Sequence, residues 1–433
     1  MMGKKQAVKA VSLLWLGSIL GAGCAFFTQV LLARALGPAT LGAFAAALGV
    51  VILVAPLASF GVGGFWLKVF GQEGWQAVRW LRGSLKYALV TTCLVLAALL
   101  AWAAFGPHDV TTRGLLIVLS SYLLGQVAVE LVSAKLQLEE RYLALAIWQF
   151  LPHLLRLLLV VMLFLAMVKL LTLWNIAYAY TVISIGVFIL GAFFMWRMYC
   201  GQLALKGHGE KNVQAEQPVA IASIREVIVQ SWPFGLAGVF HLIYFQSDII
   251  LLKYIAGNAA AGIYNVAFVI MAAVYMLPSV IYQKFLLPKI HRWAIHDRQR
   301  FYKVYRAGNW VMLVSGLLSM LAIWLLAPWG VHLLFGEQYM SAVLPLSILA
   351  LAAPVRFVAT SVGSTLVTQN NMHRKVYYMG VTAMINLGLN FFLIPTYGVM
   401  GAAVATVVSE VVLLLIYFWG ARAVFSNDTG AAV

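Results

Sequence analysis

The sequence predicts an all-α integral membrane protein of about twelve transmembrane helices, arranged as two six-helix bundles. Three observations carry this prediction: the bulk composition, the recurrence of apolar runs of about 20 residues, and a repeat that pairs the first half of the chain with the second. Of the 433 residues, 63% are hydrophobic and only 10% are charged, with a mean hydropathy of +0.94. That leaves too few ions to cover the surface of a water-soluble fold.

Each apolar run long enough to cross a bilayer is taken as one span. In the first half these are residues 11–33, 41–67, 85–105, 115–133, 143–168 and 174–196. The first follows Lys4, Lys5 and Lys9, exceeds the length of a signal-peptide core and lacks a convincing A-x-A cleavage site, so a retained signal-anchor helix is expected. A polar stretch then leads to the second set, 232–255, 262–285, 308–326, 341–367, 376–394 and 399–419. The expected domains are therefore an N-terminal lobe over 1–200, a cytoplasmic linker over 201–222 and a C-terminal lobe over 223–433. Cys24, Cys93 and Cys200 lie far apart without metal-ligand or redox spacing, so they read as small apolar residues.

The net charge of +16 invites a nucleic-acid partner, but its distribution does not. With the N-terminus in the cytoplasm, 23 of the 29 Lys and Arg residues fall inside, four fall outside (Arg34, Arg113, Lys169, Lys253) and two lie mid-span. That is the positive-inside pattern of a multi-pass protein of the cytoplasmic membrane with both termini cytoplasmic. The segment 284–306, with seven cationic residues and interleaved aromatics, reads as a loop at anionic lipid headgroups rather than an RNA-binding stripe.

The repeat is visible in two turns. Leu36-Gly37-Pro38-Ala39-Thr40-Leu41-Gly42-Ala43-Phe44 joins the first two spans, and Ala256-Gly257-Asn258-Ala259-Ala260-Ala261-Gly262-Ile263-Tyr264 joins the seventh and eighth. Their glycines and final aromatics coincide at one offset. Tyr180-Thr181-Val182-Ile183-Ser184 in the sixth span matches Ala405-Thr406-Val407-Val408-Ser409 in the twelfth. An even number of helices per half gives both halves one orientation, related by a pseudo-two-fold along the membrane normal.

Polar groups inside spans are costly and therefore informative. In the fifth span Gln149, His153 and Arg156 recur on one helical face beside Pro152; in the tenth, Arg356, Thr360, Gly363 and Ser364 do so after Pro354. A mid-span arginine costs about 2.5–3.5 kcal/mol on insertion scales, so it needs a partner or a hydrated cavity. Its forked donors match phosphate oxygens, which makes a diphosphate a sensible ligand, with Gln149, His153 and Thr360 as substrate contacts on the same faces. The competing possibility is an ion pair, Arg156 with Glu130 or Arg356 with Glu410. His153 is either a hydrogen-bonded bundle residue or a proton carrier. The fourth span aligns Gln126, Glu130, Ser133 and Gln137, and the seventh aligns His241, Tyr244 and Asp248 after Trp232-Pro233. Glu130, Asp248 and Glu410 are thus candidates for coupling to protons or sodium. Thr382, Asn386 and Asn390, and likewise Tyr275, Ser279 and Tyr282, read as interhelical glue rather than sugar ligands. Pro56, Pro152, Pro233, Pro278 and Pro354 are candidate kinks.

No P-loop is present, the only Gly-Lys pair being Gly3-Lys4, so ATP hydrolysis is not expected. H-E-x-x-H, D-x-D and paired-cysteine motifs are also missing, which removes the simplest metal-enzyme readings and leaves no cofactor.

Several strings carry a family resemblance. Leu32-Ala33-Arg34-Ala35-Leu36-Gly37-Pro38 with Leu41-Gly42-Ala43-Phe44 resembles the first turn of the Wzx-type polysaccharide flippases of the multidrug/oligosaccharidyl-lipid/polysaccharide exporter superfamily. Ser247-Asp248-Ile249-Ile250-Leu251-Leu252 with Gly262-Ile263-Tyr264 looks like their seventh-to-eighth helix region, and Leu334-Phe335-Gly336-Glu337-Gln338-Tyr339 like the turn before their tenth. Asn386-Leu387-Gly388-Leu389-Asn390, followed by Ile394-Pro395, Tyr397-Gly398 and Gly401-Ala402-Ala403, is similar to their last two helices. The resemblance implies a MATE-like fold, no enzymatic activity, and the flipping of an undecaprenyl-diphosphate-linked oligosaccharide from the cytoplasmic to the periplasmic leaflet by ion-coupled alternating access. Membrane lipids, that glycan and other polysaccharide assembly proteins would be its partners, and Arg156 and Arg356 would share a diphosphate between the lobes. Alternatives are a multidrug cation antiporter, whose cavity would be acidic rather than arginine-lined, and a membrane-embedded polymerase or glycosyltransferase, which the short outer loops disfavour.

Overall fold

A computed structural model describes residues 4–166, 172–206, 222–279, 298–366 and 372–426. Residues 207–221 of the predicted linker, most of the basic segment 284–306, and Lys169 and Tyr282 lie outside the described residues, as does the Ser279 side chain. The helices are α1 Lys4–Ser59, α2 Val62–Glu73, α3 Arg79–Phe105, α4 Val110–Leu138, α5 Tyr142–Ala166, α6 Leu173–Tyr199, α7 Ile224–Ala256, α8 Asn258–Ser279, α9 Arg298–Phe335, α10 Val343–Ala350, α11 Ala352–Thr365 and α12 Met372–Ser426. Short 3-10 turns, Gly74–Val78 and Glu337–Ala342, precede α3 and α10. Among the described residues there is no strand.

Eight helical runs among the described residues are long and apolar enough to cross a membrane, and the bent pair α10 with α11 makes a ninth. Two of the eight are compound. The run 12–105 breaks at Gly37 and again at the 3-10 turn before α3, and the last run breaks at Gly398. Counted between these breaks, the segments number about twelve, as a chain of roughly 20-residue spans requires. Gly37 and Gly398 take φ of 73° and 55°, a region in which a side chain is strained. Each of these two glycines thus breaks a long helix without an intervening loop.

The α1–α2 junction is a further break, at Phe60 and Gly61 with φ of 35° and 80°. Inside a membrane, carbonyls freed by such a break need partners. Thr91 and Thr92 of α3 both donate to the Ala58 carbonyl, Thr92 at 3.1 Å.

Large apolar side chains that face outward, such as Leu94, Val182, Leu325 and Phe392, belong against lipid. This is a multi-pass membrane protein.

The chain divides into two compact units. The first comprises residues 1–28 and 47–242, the second 29–46 and 243–433. They differ from halves cut at the 201–222 linker, because the end of the first span belongs to the second unit and α7 runs through the division. In the first unit, Ala128, Val132, Leu136, Leu145, Trp148, Ile183 and Val187 form a core where α4, α5 and α6 meet.

In the second unit, the segment 29–46 is held by backbone-directed bonds. Arg34 donates to the Leu334 carbonyl at 2.8 Å and to that of Leu333, capping the end of α9. Gln338 and Tyr339 return bonds to the Ala33 carbonyl at 3.3 and 3.2 Å. The two repeated turns also pack on each other here. A Cβ on Gly42 would collide with the Asn258 carbonyl oxygen, and one on Gly262 with that of Pro38. The contact is reciprocal at the offset that relates the two repeats, as a local two-fold demands. Gly262→Leu is therefore expected to cost about 1–3 kcal/mol or more through overpacking, seen as a lower Tm of the detergent-purified protein; an unchanged Tm would contradict the backbone-on-backbone contact.

Candidate functional site

The polar stripes of the spans resolve into three sites. The first is a cavity of 480 Å³ in the first unit. Gln126, Glu130, Ser133 and Gln137 all line it from α4, so the stripe predicted there does form one face. Gln149 lines it from α5, donating to the Ser133 hydroxyl at 3.3 Å, and Tyr122 and Pro56 add apolar wall. Glu130 also reaches the broken α1–α2 junction, where the Ser59 hydroxyl donates to its Oε2 at 2.5 Å. The cavity is thereby tied to a backbone break.

His153 and Arg156, expected on the same face as Gln149, are not among the residues lining that cavity. Arg156 is 7% exposed and its guanidinium lies 4.6 Å from the Tyr122 ring centroid and 5.2 Å from that of Tyr180. Nη1 makes a long contact, 3.5 Å, with the Tyr122 hydroxyl, and the buried Nε has no acceptor. Among the described residues no carboxylate pairs with Arg156, so its proposed pair with Glu130 does not form. Aromatic faces stabilise a desolvated cation by about 2 kcal/mol, which leaves hydrogen-bonding capacity unused.

The second site is the Arg356 cluster of the second unit. Here the competing ion pair does form, with Arg356 Nη1 donating to Glu410 Oε1 at 2.8 Å. Phe245, Tyr244 and Tyr275 surround the guanidinium at 4.9, 5.7 and 5.7 Å from their ring centroids. Thr360, predicted beside Arg356 as a ligand, instead donates to the Arg356 carbonyl one turn back at 2.8 Å. Back-bonding of this kind satisfies a hydroxyl in an apolar helix.

The third site centres on Asp248 of α7, which is 3% exposed. Tyr264 and Thr406 each donate to Oδ2 at 2.5 Å, and Asn390 Nδ2 donates to Oδ1 at 2.7 Å. Asn386 joins through Asn390 at 3.1 Å and through the Ser247 hydroxyl at 3.1 Å. Asn390 Oδ1, fully buried, has no hydrogen-bond donor. Asn386 and Asn390 do link helices as predicted, but around the carboxylate. Thr406 and Tyr264, both inside repeated motifs, were not singled out in the sequence; the threonine shared with Thr181 was the available signal for the first, and a tyrosine in place of Phe44 for the second. The cluster can bind a proton at the carboxylate or a small hard cation among its oxygens.

Comparison with known proteins places these sites in context. The sequence pattern of the family described as "Polysaccharide biosynthesis protein" matches residues 7–294. The chain is 30% identical over 207 residues to the probable flippase AglR of Haloferax volcanii, covering 46% of this chain and 42% of that one. It is 21% identical over 215 residues to the capsular polysaccharide biosynthesis protein CapF of Staphylococcus aureus, covering 49% and 54%. The aligned part spans about half the length of these curated relatives. Among solved structures, the lipid II flippase MurJ in an inward closed conformation superposes with a TM-score of 0.69 at 14% identity, over 95% of this chain and 87% of that one. An inward-facing multidrug resistance MATE family transporter of the MOP superfamily superposes equally well, with a TM-score of 0.69 at 12% identity over 99% and 100%. At such identities the likeness is one of fold.

Proposed function

The chain belongs to the polysaccharide biosynthesis protein family, and from that premise we propose that it is a flippase. Its substrate is an undecaprenyl-diphosphate-linked oligosaccharide, moved from the cytoplasmic to the periplasmic leaflet of the cytoplasmic membrane by ion-coupled alternating access. Both termini lie in the cytoplasm, other polysaccharide assembly proteins supply and receive the glycan, and no chemical bond is made or broken.

The observation that carries this reading is Arg156. A buried guanidinium with an unpaired Nε and no carboxylate among the described residues calls for an anionic ligand, and a diphosphate fits its fork. Arg356 already shares its charge with Glu410, so Arg156 is the stronger phosphate contact, and His153 three residues away supports it. Asp248 is the coupling residue: a carboxylate ringed by Tyr264, Thr406 and Asn390 favours one conformation when a proton or sodium ion neutralises it. Glu130 and Glu410 are subsidiary candidates.

A second reading, export of organic cations, draws support from Glu130 in the cavity of the first unit. One experiment separates the two. In cells deleted for this protein, lipid-linked glycan should accumulate in the cytoplasmic leaflet, and Arg156→Ala at matched expression should restore export at least about tenfold less well than the wild type, the loss of one charge-assisted contact. Normal export in a deletion strain lacking other flippases, with impaired efflux of an organic cation such as ethidium, would overturn the flippase reading.

A further inference from the structure

We propose that the 480 Å³ cavity of the first unit is a subsite for an uncharged, hydroxyl-rich sugar of the substrate and discriminates against acidic sugars. The proposal rests on the flippase reading and adds the class of glycan.

The cavity size is that of a small-molecule site. Its wall combines the two surfaces a neutral sugar needs. Gln126, Ser133, Gln137 and Gln149 present neutral amide and hydroxyl groups along one side, while Tyr122 and Pro56 present apolar surface to the C–H face of a ring. An amide offers both donors and acceptors, matching hydroxyls that are donor and acceptor at once. Among the described residues, no side-chain hydrogen bond occupies Gln126 or Gln137, and Gln149 uses only one N–H, on Ser133. These amides are available.

The charge of the wall sets the selectivity. Among the described residues no Lys, Arg or His lines the cavity, and Glu130 is the one carboxylic acid in its wall. That carboxylate takes the Ser59 hydroxyl on Oε2, leaving acceptor capacity for a sugar hydroxyl. A uronic acid would instead set carboxylate against carboxylate, with no basic side chain among the described lining residues to bridge them. Arg156 does not reverse this, since it lies against Tyr122 and not in the wall.

The test uses the full-length protein in lipid nanodiscs and four probes: bare undecaprenyl diphosphate and its glucose, galactose and glucuronate derivatives. At least one neutral hexose should bind about tenfold tighter than the bare lipid, the worth of one or two net hydrogen bonds, and glucuronate should bind no tighter than the bare lipid. Gln126→Ala with Gln137→Ala should shrink the hexose-to-bare affinity ratio to about threefold or less, and Glu130→Gln should raise glucuronate affinity. Because the readout is a ratio measured on one preparation, a loss of folded protein does not imitate it. Equal affinity of the bare and hexose lipids, an unchanged ratio in the double variant, or a preference for glucuronate in the wild type overturns the subsite. Binding of none of the four lipids overturns the flippase reading itself.

Discussion

Replacing Arg356 by alanine is expected to destabilise the protein by about 3–5 kcal/mol, the usual cost of stripping one partner from a buried ion pair. Glu410 is 1% exposed and its Oε1 takes the 2.8 Å bond from Arg356. Without the guanidinium it becomes an uncompensated anion among Tyr244, Phe245 and Tyr275. The double substitution Arg356→Met with Glu410→Leu should recover most of the loss, because apolar residues of similar volume replace a buried pair at little net cost. Thermal unfolding of the purified wild type, single and double variants measures both effects. A single variant as stable as the wild type would show that Glu410 does not depend on Arg356, and a double variant no better than the single would show that packing, rather than charge, is at stake.

At Asp248 the two informative substitutions diverge. Alanine leaves the Tyr264, Thr406 and Asn390 donors facing an empty space, at about 1–3 kcal/mol for each group left unsatisfied, so a large fall in Tm is expected. Asparagine keeps the shape. Its NH2 group would oppose Asn390 Nδ2, but rotating the Asn390 amide presents the Oδ1 that now lacks a donor. Asp248→Asn should therefore fold, yet respond to an imposed sodium or pH gradient at least about tenfold less than the wild type in proteoliposomes, since the neutral side chain cannot change charge. Retained gradient dependence in a folded Asp248→Asn protein would remove Asp248 as the coupling group.

The spans were legible because each needs only a local run of apolar residues, and their breaks because Gly37 and Gly398 mark where the backbone must leave the helix. Stripes within one helix were legible too. Gln126, Glu130, Ser133 and Gln137 share a cavity wall as their spacing predicts, and Tyr122 extends the stripe by one more turn. What sequence spacing does not contain is the rotation of one helix about its axis relative to another. Asp248, Asn390 and Thr406 lie on separate stripes in separate spans, and nothing in any of them announces that they converge. Arg156 shows the same limit: its position was clear, but the choice between Glu130 and two tyrosine rings depended on tertiary packing. The assignment of residues 29–46 to the second unit is the extreme case.

That last feature bears on how the protein is made. Arg34 leaves the ribosome early, whereas the Leu334 carbonyl it caps lies 300 residues further along. At roughly 5–20 residues per second, translation of that interval takes roughly 15–60 s. Throughout it, residues 29–46, the end of the first span with its turn and the start of the second, sit in the insertion machinery or the bilayer without their native neighbours. Residues 243–433 must find a helical docking segment that has been waiting since the start, which makes completion of the second unit a late, long-range event.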